Sequence, residues 1–93
     1  MNVQAEVRLY PLRTGKLAGP VADFCDVLRS RGLRVEGRSM STFITGESKD
    51  VFEALGEGFE TVAQRSAVVV DFTISNACPE TVRREPERTE RMD

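Results

Sequence analysis

Histidine and tryptophan are absent from this sequence, which holds one tyrosine, five phenylalanines and two cysteines among its 93 residues. Without histidine the chain lacks the commonest metal ligand and the side chain whose ordinary pKa suits general acid–base work near neutrality. A Ser/His triad is thereby excluded, and Cys25 and Cys78 lack the spacing of a zinc motif. No apolar run approaches the ~18 residues that a membrane-spanning helix requires. The first residues alternate polar and apolar instead of forming a basic-then-apolar leader, so the chain is expected to be cytoplasmic, without membrane insertion. Basic excess is missing too: thirteen Lys and Arg stand against fifteen Asp and Glu, dispersed along the chain. No positive tract is available to neutralise a phosphate backbone, and nucleic acid is not an expected partner. Hydrophobic residues at 40% and charged residues at 30% describe an ordinary globular balance, in a length that accommodates one domain with a modest core.

The patterning is more informative. Val3, Ala5, Val7 and Leu9 alternate with Gln4, Glu6, Arg8 and Tyr10, the period of two that marks a half-buried strand over Val3 to Tyr10. Pro11 closes it, and Thr14-Gly15-Lys16 supplies a turn. Gly19-Pro20 opens a first helix in which Val21, Phe24, Cys25 and Leu28 recur at helical spacing until Gly32 ends it. Leu33 to Ser39 and Thr42 to Gly46 read as two strands joined near Met40-Ser41. Ser48 is the expected N-cap of a second helix, with Asp50 at the positive end of its dipole. Val51, Phe52, Leu55, Phe59 and Val62 form the expected buried stripe, interrupted by Gly56 and Gly58, which a close backbone approach would justify. Ala67 to Ser75 is the last strand, rich in β-branched residues.

The order βαββαβ, joined by right-handed crossovers, implies an α+β sandwich of the ferredoxin-like kind: a four-stranded antiparallel sheet with both helices on one face. Its first and third strands lie at the centre. The domain spans residues 1–78, and residues 79–93, almost purely charged, are expected to form a disordered tail. The helices meet Val3, Ala5, Val7, Leu9, Val68, Val70, Phe72 and Ile74. A second face remains, with Gln4, Glu6, Arg8 and Tyr10 beside Val69, Asp71, Thr73 and Ser75, and with Phe43 and Thr45 from the third strand. Such a face is solvated, pairs with a second copy, or lines a ligand site.

Four stretches read together carry a resemblance. Leu9-Tyr10-Pro11-Leu12, Ser39-Met40-Ser41-Thr42, Gly46-Glu47 leading to Asp50-Val51-Phe52-Glu53-Ala54-Leu55, and Ser75-Asn76-Ala77-Cys78-Pro79 occur in this order. The set resembles the YkoF-type proteins that bind thiamine and its hydroxymethylpyrimidine moiety. The resemblance implies the same ferredoxin-like fold, a homodimer or homotetramer built through sheets, and binding without chemical turnover or cofactor. It departs at Ala77, where the family often has Gly, and at Arg8, where a small hydroxyl residue is usual.

Thiamine presents an aminopyrimidine edge and a cationic thiazolium, so a site needs matched donors and acceptors beside a flat ring. Glu6 or Asp71 would accept from the amine. Ser39, Thr42, Ser75 or Asn76 would satisfy ring nitrogens or the hydroxyethyl group, and Tyr10 or Phe43 would stack on a cationic ring. Each has a structural alternative: Tyr10 packs on Pro11 or a partner, Ser39 and Thr42 bond their own turn, Glu6 and Arg8 pair across strands with Asp71, and Asn76 serves a turn. A structural or regulatory homo-oligomer without ligand is the competing function. An acylphosphatase-like enzyme is disfavoured, because Pro11-Leu12-Arg13-Thr14-Gly15 is not a Gly-rich anion loop. RNA binding is disfavoured because Phe43 stands without a second stacking aromatic on the middle strand.

Overall fold

The computed structural model describes residues 1–13 and 18–77. Its elements are β1 (Asn2–Pro11), α1 (Ala18–Ser30), β2 (Arg34–Gly37), β3 (Thr42–Glu47), α2 (Ser48–Ala63) and β4 (Val68–Ser75). The strands form one antiparallel sheet in the order β2-β3-β1-β4, the ferredoxin-like arrangement that the element order implied. The turn expected at Thr14-Gly15-Lys16, Cys78 and the charged segment 79–93 lie outside the described residues. No helix among the described residues is long and apolar enough to cross a membrane.

Register fixes which residues meet. Ala5 stands between Ile44 and Ile74, and Val7 between Thr42 and Phe72, so the inward row of β1 continues into both neighbours. Phe24 and Leu28 of α1, with Val51, Ala54, Leu55 and Val62 of α2, close over that row and complete the core. β1 runs one residue beyond the expected end, because Pro11 needs no ladder donor in its last position, where it faces Val68. β2 is shorter than the expected Leu33 to Ser39. Leu33 is drawn into the core under Gly46, where a Cβ would lie 2.5 Å from its Cδ2, and residues 38–41 form the turn, closed by the Arg38 amide on the Ser41 carbonyl at 2.7 Å.

Helix α1 ends as its sequence implies. Gly32 takes a φ of +81°, and its amide donates to the Arg29 carbonyl at 2.9 Å. Helix α2 begins differently from expectation. Glu47, not Ser48, is its N-cap residue and makes no side-chain capping bond, while Ser48 is already helical. The Ser48 amide instead donates to the Met1 carbonyl at 2.9 Å, and the Met1 ammonium pairs with Glu47 Oε1 at 3.0 Å. Met1 thus satisfies the first amide of the helix, and Ser48 lies inside the helix, not at the cap position expected for it.

The buried stripe of α2 is also rotated. Val51, Ala54, Leu55, Gly58 and Val62 face the core, whereas Phe52 and Phe59 remain 54% and 42% exposed. Gly58 explains the rotation: a Cβ there would lie 2.8 Å from the Phe24 ring, so the bare backbone receives an aromatic from α1. Phe52 then lies over β4, edge-on to Phe72 with ring centroids 6.2 Å apart, and Phe72 is exposed rather than buried under the helices as expected. Ion pairs complete the helix contact. Arg31 donates to Glu57 at 2.8 Å and Glu53 at 3.2 Å, the Glu57 bond being the main reason its pKa is raised, and Arg65 donates to Asp23 at 2.7 Å.

The two interior glycines of α2 should respond oppositely to alanine. Gly58→Ala, forced against Phe24, is expected to destabilise by about 1–3 kcal/mol. Gly56→Ala, with no atom within 4 Å of the new methyl, should stabilise by about 1 kcal/mol through helix propensity alone. Urea unfolding of the two variants measures both.

Candidate ligand site on the open sheet face

Alternation along β1 turns Gln4, Glu6, Arg8 and Tyr10 away from the helices. Register then places Gln4 between Thr45 and Ser75, Glu6 between Phe43 and Thr73, Arg8 beside Asp71, and Tyr10 beside Val69. Strand β2 adds Arg34 opposite Thr45 and Glu36 opposite Phe43. No helix of the described residues covers this face, which is a platform of charges and hydroxyls around one phenylalanine.

Side chains on the platform engage each other. Arg8 Nε donates to Asp71 Oδ1 at 2.7 Å, and its Nη1 lies 4.0 Å from Glu6 Oε1. Ser41 Oγ donates to the other Glu6 oxygen at 2.6 Å. The Arg38 guanidinium lies 4.5 Å from the Phe43 ring centroid and also donates to Glu36 at 3.2 Å. Phe43 therefore carries a planar, delocalised cation on its face.

The sequence-derived candidates divide accordingly. Glu6 and Phe43 are cross-strand partners, and Asp71 joins them through Arg8. Tyr10 lies on the same face, four residues along from Glu6, roughly 13 Å at the rise of a strand. Ser39 is exposed in the β2–β3 connection, and it is Ser41 two residues on that reaches Glu6. Thr42 does not belong to the platform. It is buried opposite Val7, with Oγ1 3.8 Å from Cys25 Sγ on the helix side. Consecutive strand residues point to opposite faces, so Thr42 and Phe43 cannot serve one site on one side of the sheet.

Ser75 and Asn76 stand at the far end of β4. The Ser75 hydroxyl accepts from the Ala77 amide at 2.9 Å, and Asn76 Nδ2 lies 3.3 Å from Met1 Sδ, its donor aimed at the sulfur. Both residues border a hollow of about 270 Å³ with Val3, Ser48, Phe52 and Ile74. A second hollow, also about 270 Å³ and mainly apolar, lies between Phe52, Phe59 and Phe72. Sequence reasoning passed over Arg38, Ser41 and Gln4 as site residues. The first two sit in a turn whose register the sequence left open. Gln4 is 7% exposed, and its Nε2 is buried without a partner.

A model of the YkoF-related family matches residues 2–81. The chain belongs to that family. The match takes in the first three of the stretches that suggested it entirely, and all of the fourth as well. Solved structures agree on the fold. The hypothetical protein MJ1052 of Methanocaldococcus jannascii is 25% identical, with 96% of each chain covered and a TM-score of 0.79. A candidate thiamine biosynthesis/salvage protein of Thermotoga maritima is 17% identical over 96% of this chain and 99% of its own, with a TM-score of 0.76. Protein SP2199 of Streptococcus pneumoniae is 17% identical over 94% and 99%, with a TM-score of 0.79. No curated protein matches the chain. On the platform Arg8 stands between two carboxylates, paired with Asp71 at 2.7 Å and 4.0 Å from Glu6.

Arg8→Ser should release Glu6 and Asp71 at small cost. Both carboxylates are about half exposed, so the loss is expected to be under about 1 kcal/mol in urea unfolding.

Proposed function

We propose that this YkoF-family chain binds thiamine or its hydroxymethylpyrimidine moiety on the open sheet face, without turnover, for transport, salvage or buffering in the cytoplasm. The observation that carries this reading is Phe43, whose ring holds the flat Arg38 cation at 4.5 Å beside the Glu6 carboxylate. A thiazolium or aminopyrimidine presents the same kind of flat, electron-poor surface. Binding is then an exchange in which Arg38 swings into solvent and the ligand ring takes its place. Glu6, fixed by Ser41, accepts from the exocyclic amine. Family membership and the thiamine-related description of the Thermotoga maritima neighbour support the same ligand class.

A second copy of the chain would turn the platform into a receptacle. The two sheet edges differ in a way that favours association. Edge strand β2 has four residues, including Arg34 and Glu36, whereas edge strand β4 has eight residues with one charge and no proline. Long, apolar, uncharged edges invite another strand, and charged short ones resist it. The proposed assembly is a homodimer or homotetramer. A purely structural oligomer is the second reading, favoured by the Arg8–Asp71 and Ser41–Glu6 contacts that already satisfy much of the face.

Thermal-shift titration separates the two. A ligand at a hundredfold excess over its Kd adds about 2.7 kcal/mol to the folded state, so thiamine or hydroxymethylpyrimidine should raise the unfolding midpoint in a concentration-dependent way. Phe43→Ala should abolish the rise while remaining folded. An unchanged midpoint at millimolar ligand sinks the binding reading. Sedimentation at micromolar chain concentration is expected to give a mass of two or four chains, and a monomer there would remove the oligomer from the proposal.

A further inference from the structure

Helix α2 carries two glycines in its interior, and the chain explains only one of them. Gly58 is bare because the Phe24 ring lies where its Cβ would be, whereas a Cβ on Gly56 would meet no atom within 4 Å. A glycine inside a helix weakens it, and no approach from within the chain offsets that cost at Gly56. Gly56 also belongs to a second apolar stripe. Phe52, Gly56 and Phe59 recur at i, i+4 and i+7, and with Val70 and Phe72 of β4 they line the open hollow on the outer flank of the sheet. Phe52, Phe59 and Phe72 are 54%, 42% and 38% exposed, which leaves roughly 250 Å² of aromatic surface per chain in water. That is about a third of the ~800 Å² that a stable interface covers on each partner, and the free edge of β4, eight residues long, lies directly beside it.

One symmetry operation covers both the edge and the stripe. A copy paired antiparallel to β4 about a two-fold axis at Phe72 sets Phe72 opposite Phe72 and Asp71 opposite Thr73, so that like charges are not opposed. Gly56 stands at the level of that axis, because it lines the same hollow as Val70 and Phe72. The axis therefore brings α2 against its copy, antiparallel, with the two glycines at the crossing. We infer that Gly56 is the point of contact between two copies of this chain, whose sheets join through β4 into one continuous sheet. The bare backbones approach at Gly56, and Phe52 of each helix packs with Phe59 of the other. Charge agrees with this arrangement. Lys49 and Glu60, both exposed and unpaired among the described residues, stand at the two ends of the stripe, and antiparallel helices bring the lysine of one copy within reach of the glutamate of the other. The inference rests on the β4 edge of the assembly reading above and does not depend on the ligand.

The test weighs the full chain by sedimentation over a dilution series, in wild type, Gly56→Leu, Lys49→Glu, Glu60→Lys and the double charge swap. Gly56→Leu adds apolar surface in open space, yet it is expected to raise the dissociation constant at least tenfold, because the backbones no longer meet. Each single charge reversal should weaken association about threefold, and the double variant should restore it to within about twofold of wild type. Lys49 and Glu60 lie roughly 16 Å apart along one helix, so restoration reports a contact between chains. In a chain too dilute to associate, Gly56→Leu should unfold in urea at or above the wild-type midpoint, through helix propensity. A wild type that stays a single chain at micromolar concentration overturns the assembly reading and this inference together. An oligomer whose dissociation constant is unchanged or lowered in Gly56→Leu overturns the inference alone. Should leucine lower the midpoint of the dilute chain, the charge swap decides, and a double variant no tighter than the single ones overturns the contact. A chain that associates only once residues 78–93 are removed likewise overturns it and gives the hollow to that segment.

Discussion

The double pairing of β1 is the constraint on which everything else depends. It is hydrogen-bonded to β3 from Asn2 to Val7 and to β4 from Gln4 to Pro11, so its register is fixed from both sides. Val3, Ala5 and Val7 are needed in the core, where each is at most 5% exposed. A slip of one residue would trade them for Gln4, Glu6 and Arg8 and bury charge under the helices. The hydrophobic requirement on one face therefore positions the polar row on the other. Glu6 beside Phe43 and Arg8 beside Asp71 are consequences of core packing before they are features of a site.

The same coupling of interior to surface operates at the helix contact. Gly58 lets Phe24 approach the α2 backbone, and the buried stripe then runs through Val51, Ala54 and Leu55. Phe52 and Phe59, one position round the helix from that stripe, are left on its flank above β4. Their exposure, with that of Phe72, follows from one missing methyl group. The apolar hollow between them lies on the less charged edge of the sheet.

Periodicity made most of the fold legible. The alternation of β1 and β4, the stripe of α1 and the element order sufficed to place the strands and the central pair. What escaped was set by contacts between distant residues. Nothing local in Ser48 reveals that the Met1 carbonyl meets its amide, so a hydroxyl cap was the natural expectation. Helical spacing admitted Phe52 and Phe59 to the core because it carries no information on how a glycine tilts the helix. Of the site, the face residues Glu6, Phe43 and Asp71 were legible from alternation alone. Thr42 was assigned against that same alternation, on family resemblance, and lies across the sheet from Phe43. Arg38 and Ser41 reach the face from a turn whose geometry no residue pair announced.

These features together limit how the platform can recognise a ligand. The carboxylates of Glu6, Glu36 and Asp71 are offset by Arg8, Arg34 and Arg38, so a cation arriving at the face meets little net attraction, and salt screens the remainder within about 10 Å. Ring stacking on Phe43 favours any flat, electron-poor ring and distinguishes poorly among them. Hydrogen-bond pattern is what remains to discriminate, because a site with fixed donors and acceptors rejects a ligand that leaves them unpaired. On this face the carboxylates can only accept and the guanidinium groups can only donate, while the hydroxyls of Ser41, Thr45 and Thr73 do both. An edge that both donates and accepts is therefore matched only where a donor and an acceptor stand side by side, as Ser41 and Glu6 do at 2.6 Å and Arg8 and Asp71 do at 2.7 Å.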